Sequence, residues 1–264
     1  MIQLIAADLD GTLLDSNKRL SPDLFPLIRT LGARGVRFAA ASGRQVDNLR
    51  ALFAPLAGEM LLIAENGAAV YDGPRCLFAD QLPAAYFFGP IRTVRTLPGV
   101  GAVLCTHEGA FIEAADDPVF VQNARMYYEK LDVVPDLLTV LARIPAFKLA
   151  VFQKGRAESG CWPVLQAYAG RFAVVLSGAD WVDLMNPATN KGTALHRLAG
   201  ALHIPLTDTM AFGDYLNDFE LLSEAGLAYA MENGHPDLKR IADRIAPSND
   251  QNGVVRAITA YFGL

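Results

Sequence analysis

The sequence predicts an α/β fold: a doubly wound, Rossmann-like core on a parallel sheet, with an α+β domain inserted into it. Three observations predict this. Short, wholly apolar runs alternate with amphipathic stretches in the first part of the chain ("IQLIAAD", "VRFAAAS", "MLLIA") and again in the last part ("TMAFGD", "LAYAM"). Such runs mark strands buried on both faces, and strand–helix alternation marks a parallel sheet. Between them, from Pro83 to Met185, the pattern changes to strands of antiparallel character. Finally, 264 residues are long for one compact core and comfortable for two domains. The division expected is 1–82 and 187–264 for the core and 83–186 for the insert.

Taken in order, "IQLIAADLD" is the first strand, an apolar run ending in carboxylates. "SPDLFPLIRTLGARG" follows as a helix, with Ser21 as N-cap, Pro22 at the first helical position and Gly35 as the stop. "VRFAAASGR" is the second strand, "QVDNLRALFAPL" the second helix, and "MLLIAENGAAVYD" a strand running into Asn-Gly. In the insert, "VGAVLCTHEGAFIEA" reads as a hairpin about Glu108-Gly109, with "FKLAVFQKG", "FAVVLSG" and "WVDLMNP" as further strands. Helices are expected around "VFVQNARMYYEKL" and "CWPVLQAYAG". From Asn186 the core rhythm returns. "TNKGTALHRLAGAL" has Ala194, Leu195, Leu198 and Leu202 at helical spacing, then come strand "TMAFGD", helix "LNDFELLSEAG", strand "LAYAM" and the helices "HPDLKRIAD" and "NGVVRAITAYFG".

Hydrophobic residues make up 52% of the chain and charged residues 19%, which excludes a disordered type. A net charge of −5 without a Lys/Arg block argues against a nucleic-acid or anionic-membrane surface. The three cysteines form no CxxC pair and read as small buried hydrophobes in a reducing compartment. No basic n-region precedes an apolar leader, and no apolar segment is long enough to span a bilayer, so a cytoplasmic protein is expected.

The chemistry-bearing residues gather at the expected strand ends. Asp8 and Asp10 stand two apart, and residues so spaced in an extended chain point the same way. Two carboxylates facing one place repel unless a cation or a proton joins them. Asp-Gly is also ordinary turn material, but "DLDGT" after an all-apolar run points to function. Ser42, Gly43 and Arg44 offer a hydroxyl and backbone amides at a strand-to-helix turn, a ready anion site. Lys191 opens a helix, where the dipole disfavours a cation unless it faces an anion. Asp214, Asn217 and Asp218 follow another apolar strand, and ligands of open α/β sheets bind at such carboxyl ends. The four histidines do not cluster, so the candidate ligands are oxygen atoms alone, which suits Mg²⁺.

"DLDGT", "ASGR", "NKG" and "GDYLND", in this order, resemble the four motifs of the haloacid dehalogenase superfamily of phosphatases. "AENGA", the insert between "ASGR" and "NKG", and the C-terminal "AMENGHPDLKRIAD" resemble its Cof-type branch with a type IIB cap, and the likeness spans essentially the whole chain. The resemblance implies that Asp8 is the nucleophile that becomes an aspartyl-phosphate. It implies that Asp10 protonates the leaving oxygen and then activates water. Mg²⁺ would be held by the Asp8 carboxylate, the Asp10 backbone carbonyl and the Asp214 carboxylate. Ser42 and Lys191 would hold the phosphoryl group, helped by Asn217 and the amides near Leu9 and Gly43, with Asp218 supporting the metal or Lys191. The implied substrate is a small phosphorylated metabolite, a sugar phosphate or similar monoester.

Asp183 in "WVDLMNP" departs from the pattern, since relatives often carry Glu there. Two other readings share the motifs. A phosphomutase of the phosphomannomutase type would need a second, Arg-rich phosphate site in the insert, where no basic cluster is evident. A non-catalytic phosphometabolite sensor would be expected to lack a nucleophile or metal ligand, yet Asp8, Asp10, Lys191 and Asp214 are all present.

Overall fold

The computed structural model describes residues 1–113 and 117–264. The chain forms two compact units, one of Met1–Ser42, Leu52–Phe78 and Asn190–Leu264, the other of Gly43–Ala51 and Ala79–Thr189. The strands of the first part are β1 (Leu4–Asp8), β2 (Arg37–Ala41), β3 (Leu61–Ala64), β4 (Ala69–Asp72) and β5 (Arg75–Ala79). Next come β6 (Gly101–Thr106), β7 (Ala110–Ile112), β8 (Leu131–Val133), β9 (Ala146–Phe152), β10 (Ala173–Leu176) and β11 (Trp181–Met185). The chain ends with β12 (Thr209–Gly213), β13 (Leu227–Met231) and β14 (Arg244–Ala246).

The larger sheet runs β14-β13-β12-β1-β2-β3-β4-β5. From β14 to β3 every pairing is parallel, and β4 returns antiparallel to β3. β1 lies inside this sheet with all its residues buried, which its apolar run demands. Register then decides where the loops emerge. Asp8 pairs with Ala41 and Ala7 with Phe212, so β1, β2 and β12 end side by side. Helix Lys191–Ala201 packs Ala194, Leu195, Leu198 and Ala199 onto Leu4, Ala6, Ala39 and Ile63. Each such leucine contributes about 1.5–3 kcal/mol by leaving water.

The second sheet runs β10-β11-β9-β6-β7-β8, antiparallel except for β7 beside β8. Its alternating residues feed two cores. Leu104, Leu149, Val151 and Val182 face helices Ala84–Val94 and Leu137–Leu141, whereas Val103, Ala150, Phe152 and Trp181 join Phe120 and Ala124 of helix Pro118–Tyr127. Among the described residues no helix is long and apolar enough to cross a membrane.

The expected α/β core and α+β insert are both present, with local corrections. The helix after β1 begins at Leu24 with Asp23 as N-cap; Ser21 instead accepts the Asp23 amide at 3.2 Å and caps the turn before it. "MLLIAENGAAVYD" is two strands, β3 and β4, because Glu65, Asn66 and Gly67 all take positive φ and reverse the chain. Helix Ala84–Val94 was hidden by Gly89 and Pro90 within it, and β5, β8 and β14 are short or largely exposed strands without an apolar run. The Glu108-Gly109 hairpin is present as β6 and β7, with Ala114 outside the described residues.

Gly67 ties this fold to the residues that follow. Its φ is +101°, and a Cβ there would press on the backbone carbonyl of Asn190, the residue whose side chain caps helix Lys191–Ala201. Gly35 has φ +77° with nothing near its missing Cβ. Gly35→Ala is therefore expected to cost only left-handed strain, about 1–2 kcal/mol in urea unfolding. Gly67→Ala should cost clearly more, and equal losses would show that the Asn190 contact carries no weight.

Candidate active site

β1 stops at Asp8 because the chain turns back on itself. Leu13 N donates to the Asp8 and Leu9 carbonyls at 3.3 and 3.1 Å, and Leu14 N to Leu9 at 2.8 Å. Gly11 makes this turn with φ +88°, and a Cβ on it would strike the Asp214 carboxylate. The close approach lets Thr12 Oγ donate to Asp214 Oδ1 at 2.9 Å, while Asn233 Nδ2 donates to the Gly11 carbonyl at 2.8 Å.

Asp214 follows β12 in a loop shaped by Asp218. One Asp218 oxygen, Oδ2, accepts the amides of Asp214 and Tyr215 at 3.1 and 3.2 Å. Its other oxygen accepts Lys191 Nζ at 2.6 Å, and the same ammonium reaches Asp8 Oδ1 at 2.5 Å. Lys191 and Asp218 are fully buried, and Asp8 is 5% exposed. The lysine is the first residue of its helix, held there by a capping box between Asn190 and Thr193. Its awkward place against the helix dipole is explained by the two carboxylates in front of it.

Ligand oxygens of Asp8, Asp214 and Asp218 lie within 4.8 Å of one another. Three carboxylates around one ammonium leave an excess of negative charge in a buried place. Burial, followed by the charge on Asp218, pushes the Asp8 carboxyl well above the usual range, against the pull of Lys191. Asp214 is pushed up to about 6 by burial and Asp218, against the Thr12 hydrogen bond and Lys191. Burial acts to lower Lys191, but the charges of Asp218 and Asp8 outweigh it and hold the ammonium above its usual value. An all-oxygen set with surplus negative charge fits a hard divalent cation such as Mg²⁺.

Ser42 is buried at the end of β2, its amide donating to Ile63 at 2.8 Å and its carbonyl accepting Asn66 N at 2.9 Å. Asn217 Nδ2 donates to Asn66 Oδ1 at 3.3 Å. Leu9 is buried in the turn after β1. The structure thus brings Asp8, Asp214, Asp218 and Lys191 together. The Asp10 side chain is not among the clustered carboxylates; its Oδ1 accepts half-exposed Lys18 at 2.8 Å. Gly43 and Arg44 belong to the second unit, where Arg44 donates to Asn48 Oδ1 at 3.0 Å and lies 5.4 Å from the Tyr127 ring centre.

Sequence reasoning missed Thr12, Lys18, Asn66 and Asn233. Thr12 carried a signal, as a hydroxyl directly after Gly11 in a carboxylate-rich loop. Lys18 carried none, since only the fold brings it to Asp10, whereas Asn233 lies in the "AMENGHPDLKRIAD" stretch that was singled out without a role for this side chain.

A family model described as haloacid dehalogenase-like hydrolase matches residues 5–258. The chain is 31% identical over 259 residues to the 5-amino-6-(5-phospho-D-ribitylamino)uracil phosphatase YbjI of Escherichia coli, covering 97% of this chain and 95% of that protein. It is 29% identical over 247 residues to the HMP-PP phosphatase of Cronobacter sakazakii, covering 90% of this chain and 87% of that one. Among solved structures, SMU.1108c from Streptococcus mutans matches with a TM-score of 0.89 at 25% identity, over 100% of both chains. The subclass IIB sugar phosphatase BT4131 shares the fold, with a TM-score of 0.84 at 18% identity over 99% of both chains.

Two outcomes test the electrostatics. Lys191→Met leaves Asp8 and Asp218 without their shared cation and is expected to cost about 3–5 kcal/mol in urea unfolding at pH 7.5. The Asp214 carboxyl is raised in the folded state to about 6, so the stability it contributes is full below its unfolded value and lost as pH rises through about 6. In metal-free protein, Asp214→Asn keeps an acceptor for Thr12 and removes that charge. Its Tm should exceed wild type by about 2–4 °C at pH 7.5, with the gap closing by pH 5. A lower Tm at pH 7.5 would contradict the repulsion.

Proposed function

This chain belongs to the haloacid dehalogenase-like hydrolases and is a phosphatase, and from that premise we propose a Mg²⁺-dependent enzyme that cleaves small phosphorylated metabolites through a phosphorylated Asp8. The observation that carries the reading is the buried Lys191 ammonium at 2.5 Å from Asp8, beside Asp214 and Asp218. A carboxylate is a weak nucleophile unless it is oriented and its target electrophilic. Phosphoryl transfer asks for alignment and for positive charge on the equatorial oxygens.

In this reading an Asp8 oxygen attacks phosphorus, and the bond from phosphorus to the ester oxygen breaks. Asp10 gives its proton to that leaving oxygen. It then takes a proton from water as the water oxygen attacks phosphorus, which frees Asp8 and releases orthophosphate. Lys191, the Ser42 hydroxyl and the amides near Leu9 and Gly43 hold the phosphoryl oxygens, with Asn217 beside them. Mg²⁺, held by Asp8, Asp214 and the Asp10 carbonyl, would supply charge neutralisation as a Lewis acid. Asp218 holds Lys191 and the Asp214 loop rather than the phosphoryl group, as its contacts to both favour.

The similar Escherichia coli and Cronobacter proteins are named for phosphorylated small molecules, which supports a substrate of that class, a sugar phosphate or related monoester. We assign the choice among them to the insert, residues 83–186. Residues of such inserts vary the fit to the organic part of a substrate while the phosphoryl machinery stays constant.

Hydrolysis of p-nitrophenyl phosphate should require added Mg²⁺ after EDTA treatment. Asp8→Asn should abolish turnover and acid-stable labelling by a ³²P-phosphorylated substrate. Asp10→Asn should lower kcat about 10²–10⁴-fold and still label. Labelling of the Asp8→Asn protein, or full activity in EDTA, would overturn the reading. A sugar bisphosphate should release orthophosphate, and an isomerised product would indicate a mutase instead.

A further inference from the structure

The C-terminal stretch "AMENGHPDLKRIAD" has no task in the reaction scheme above. Its Asn233 is exposed. Water satisfies an exposed asparagine, which needs no partner within the protein. Asn233 nevertheless spends both ends of its amide on the backbones of two other segments. Its Nδ2 donates to the Gly11 carbonyl at 2.8 Å, and its Oδ1 accepts the Asn249 amide at 3.1 Å. Two residues on, the His235 amide donates to the Asp214 carbonyl at 2.7 Å. His235 is itself fixed, since its Nδ1 accepts the Asp237 amide at 3.2 Å and its ring meets Tyr215 edge-on at 5.9 Å. Residues 233–235 therefore grip both loops of the acidic cluster, the one after β1 and the one after β12.

The grip falls where the chain most needs one. A Cβ on Gly11 would strike the Asp214 carboxylate, and its φ is +88°, so the position demands glycine. The same lack of a side chain leaves its two torsions freer than those of any other residue. Those torsions join two peptide planes. One plane carries the Asp10 carbonyl, read above as a Mg²⁺ oxygen. The other carries the Gly11 carbonyl and leads into Thr12, whose hydroxyl donates to Asp214 Oδ1 at 2.9 Å. With Gly11 free, these groups would turn independently and would have to be ordered when the ion binds. Asn233 holds the second plane, and His235 holds the Asp214 loop beside it.

We propose that Asn233 is a positioning residue of the Mg²⁺ site: by pinning the Gly11 carbonyl it keeps the Asp10 carbonyl and the Thr12–Asp214 pair preorganised for the ion. This rests on the reading of Asp8, Asp214 and the Asp10 carbonyl as Mg²⁺ ligands. Asn249 provides a contrast. Its Nδ2 donates to the Leu14 carbonyl at 2.8 Å, so it braces the same loop further along, beyond the glycine.

The test uses the full chain with Mg²⁺ alone as the probe, its Kd read by calorimetry without substrate, and Tm as the stability readout. Asn233→Ala should raise the Mg²⁺ Kd about three- to tenfold, the worth of one hydrogen bond. At saturating Mg²⁺ its kcat on p-nitrophenyl phosphate should stay within about threefold of wild type, because the bound ion then orders the loop. Asn233→Asp keeps the acceptor for Asn249 and removes only the donor to Gly11. It should bind Mg²⁺ more weakly than wild type, although its charge alone would attract the ion. Asn249→Ala should lower Tm but move the Mg²⁺ Kd less than about twofold. The proposal is overturned if Asn233→Ala or Asn233→Asp binds Mg²⁺ as tightly as wild type. It is also overturned if Asn249→Ala weakens binding as much as Asn233→Ala, which would mark a general softening of the loop. Both Asn233 variants alter an exposed side chain, and should one fail to fold, the other decides the matter. A wild type that binds no Mg²⁺ defeats the metal reading itself, which is a different result.

Discussion

Lys191 has no exposed surface, so its charge has to be balanced where it is buried, and the surrounding loops are arranged by that need. It is met by Asp8 from the end of β1 and Asp218 from the loop after β12. Those two carboxylates come from residues more than two hundred positions apart. They meet because β1 and β12 are parallel neighbours in register, so both strands end at the same edge. Helix Lys191–Ala201 delivers the third partner, and its packing on the sheet sets how far the lysine reaches. Displacing any one of these elements would leave a charge buried without its partner, an error of several kcal/mol.

The same requirement accounts for the small residues nearby. Gly11 permits the Asp214 carboxylate to lie against the backbone of the first loop, and Thr12 then meets that carboxylate with a hydroxyl. Gly213 lies where a Cβ would collide with the Asp218 side chain. Gly192 similarly makes room for the backbone at Glu220, which keeps helix Lys191–Ala201 close to helix Phe219–Glu224. These glycines allow close approach, and close approach is what turns scattered polar residues into one cluster.

Much of this was legible in the sequence because its signals are local. Apolar runs ending in Asp, Ser or Gly announce strand ends, and parallel strands bring such ends to one edge of the sheet. Asp8, Lys191, Asp214 and Asp218 could be named on that ground, before any distance was known. What was not legible depends on tertiary contact or on breakers inside regular structure. Helix Ala84–Val94 carries Gly89 and Pro90, and its identity comes from packing Phe87, Ile91 and Val94 into a core. Lys18 lies in a polar stretch that only the folded loop brings to Asp10. The buried pairing of Lys148 with Asp183 joins two strands of the insert, and nothing in their separate sequences showed that these two charges meet.

The division of labour among the acidic residues follows from counting charges and lone pairs. Asp8, Asp214 and Asp218 with Lys191 leave two uncompensated negative charges when all are ionised, which matches a divalent cation. Asp218 spends one oxygen on Lys191 and the other on two backbone amides, so it is already satisfied as a carboxylate. Asp8 keeps Oδ2 and Asp214 keeps Oδ2 outside the hydrogen bonds described to Lys191 and Thr12. The two carboxyls raised most by their surroundings, Asp8 and Asp214, also hydrogen-bond to one another, so a proton and a metal ion compete for the same places. Asp218 is fully buried and neutralised in pairs, which suits a residue that holds others in place. Asp10, turned to Lys18 and open to solvent on one side, suits a residue that must exchange protons with water.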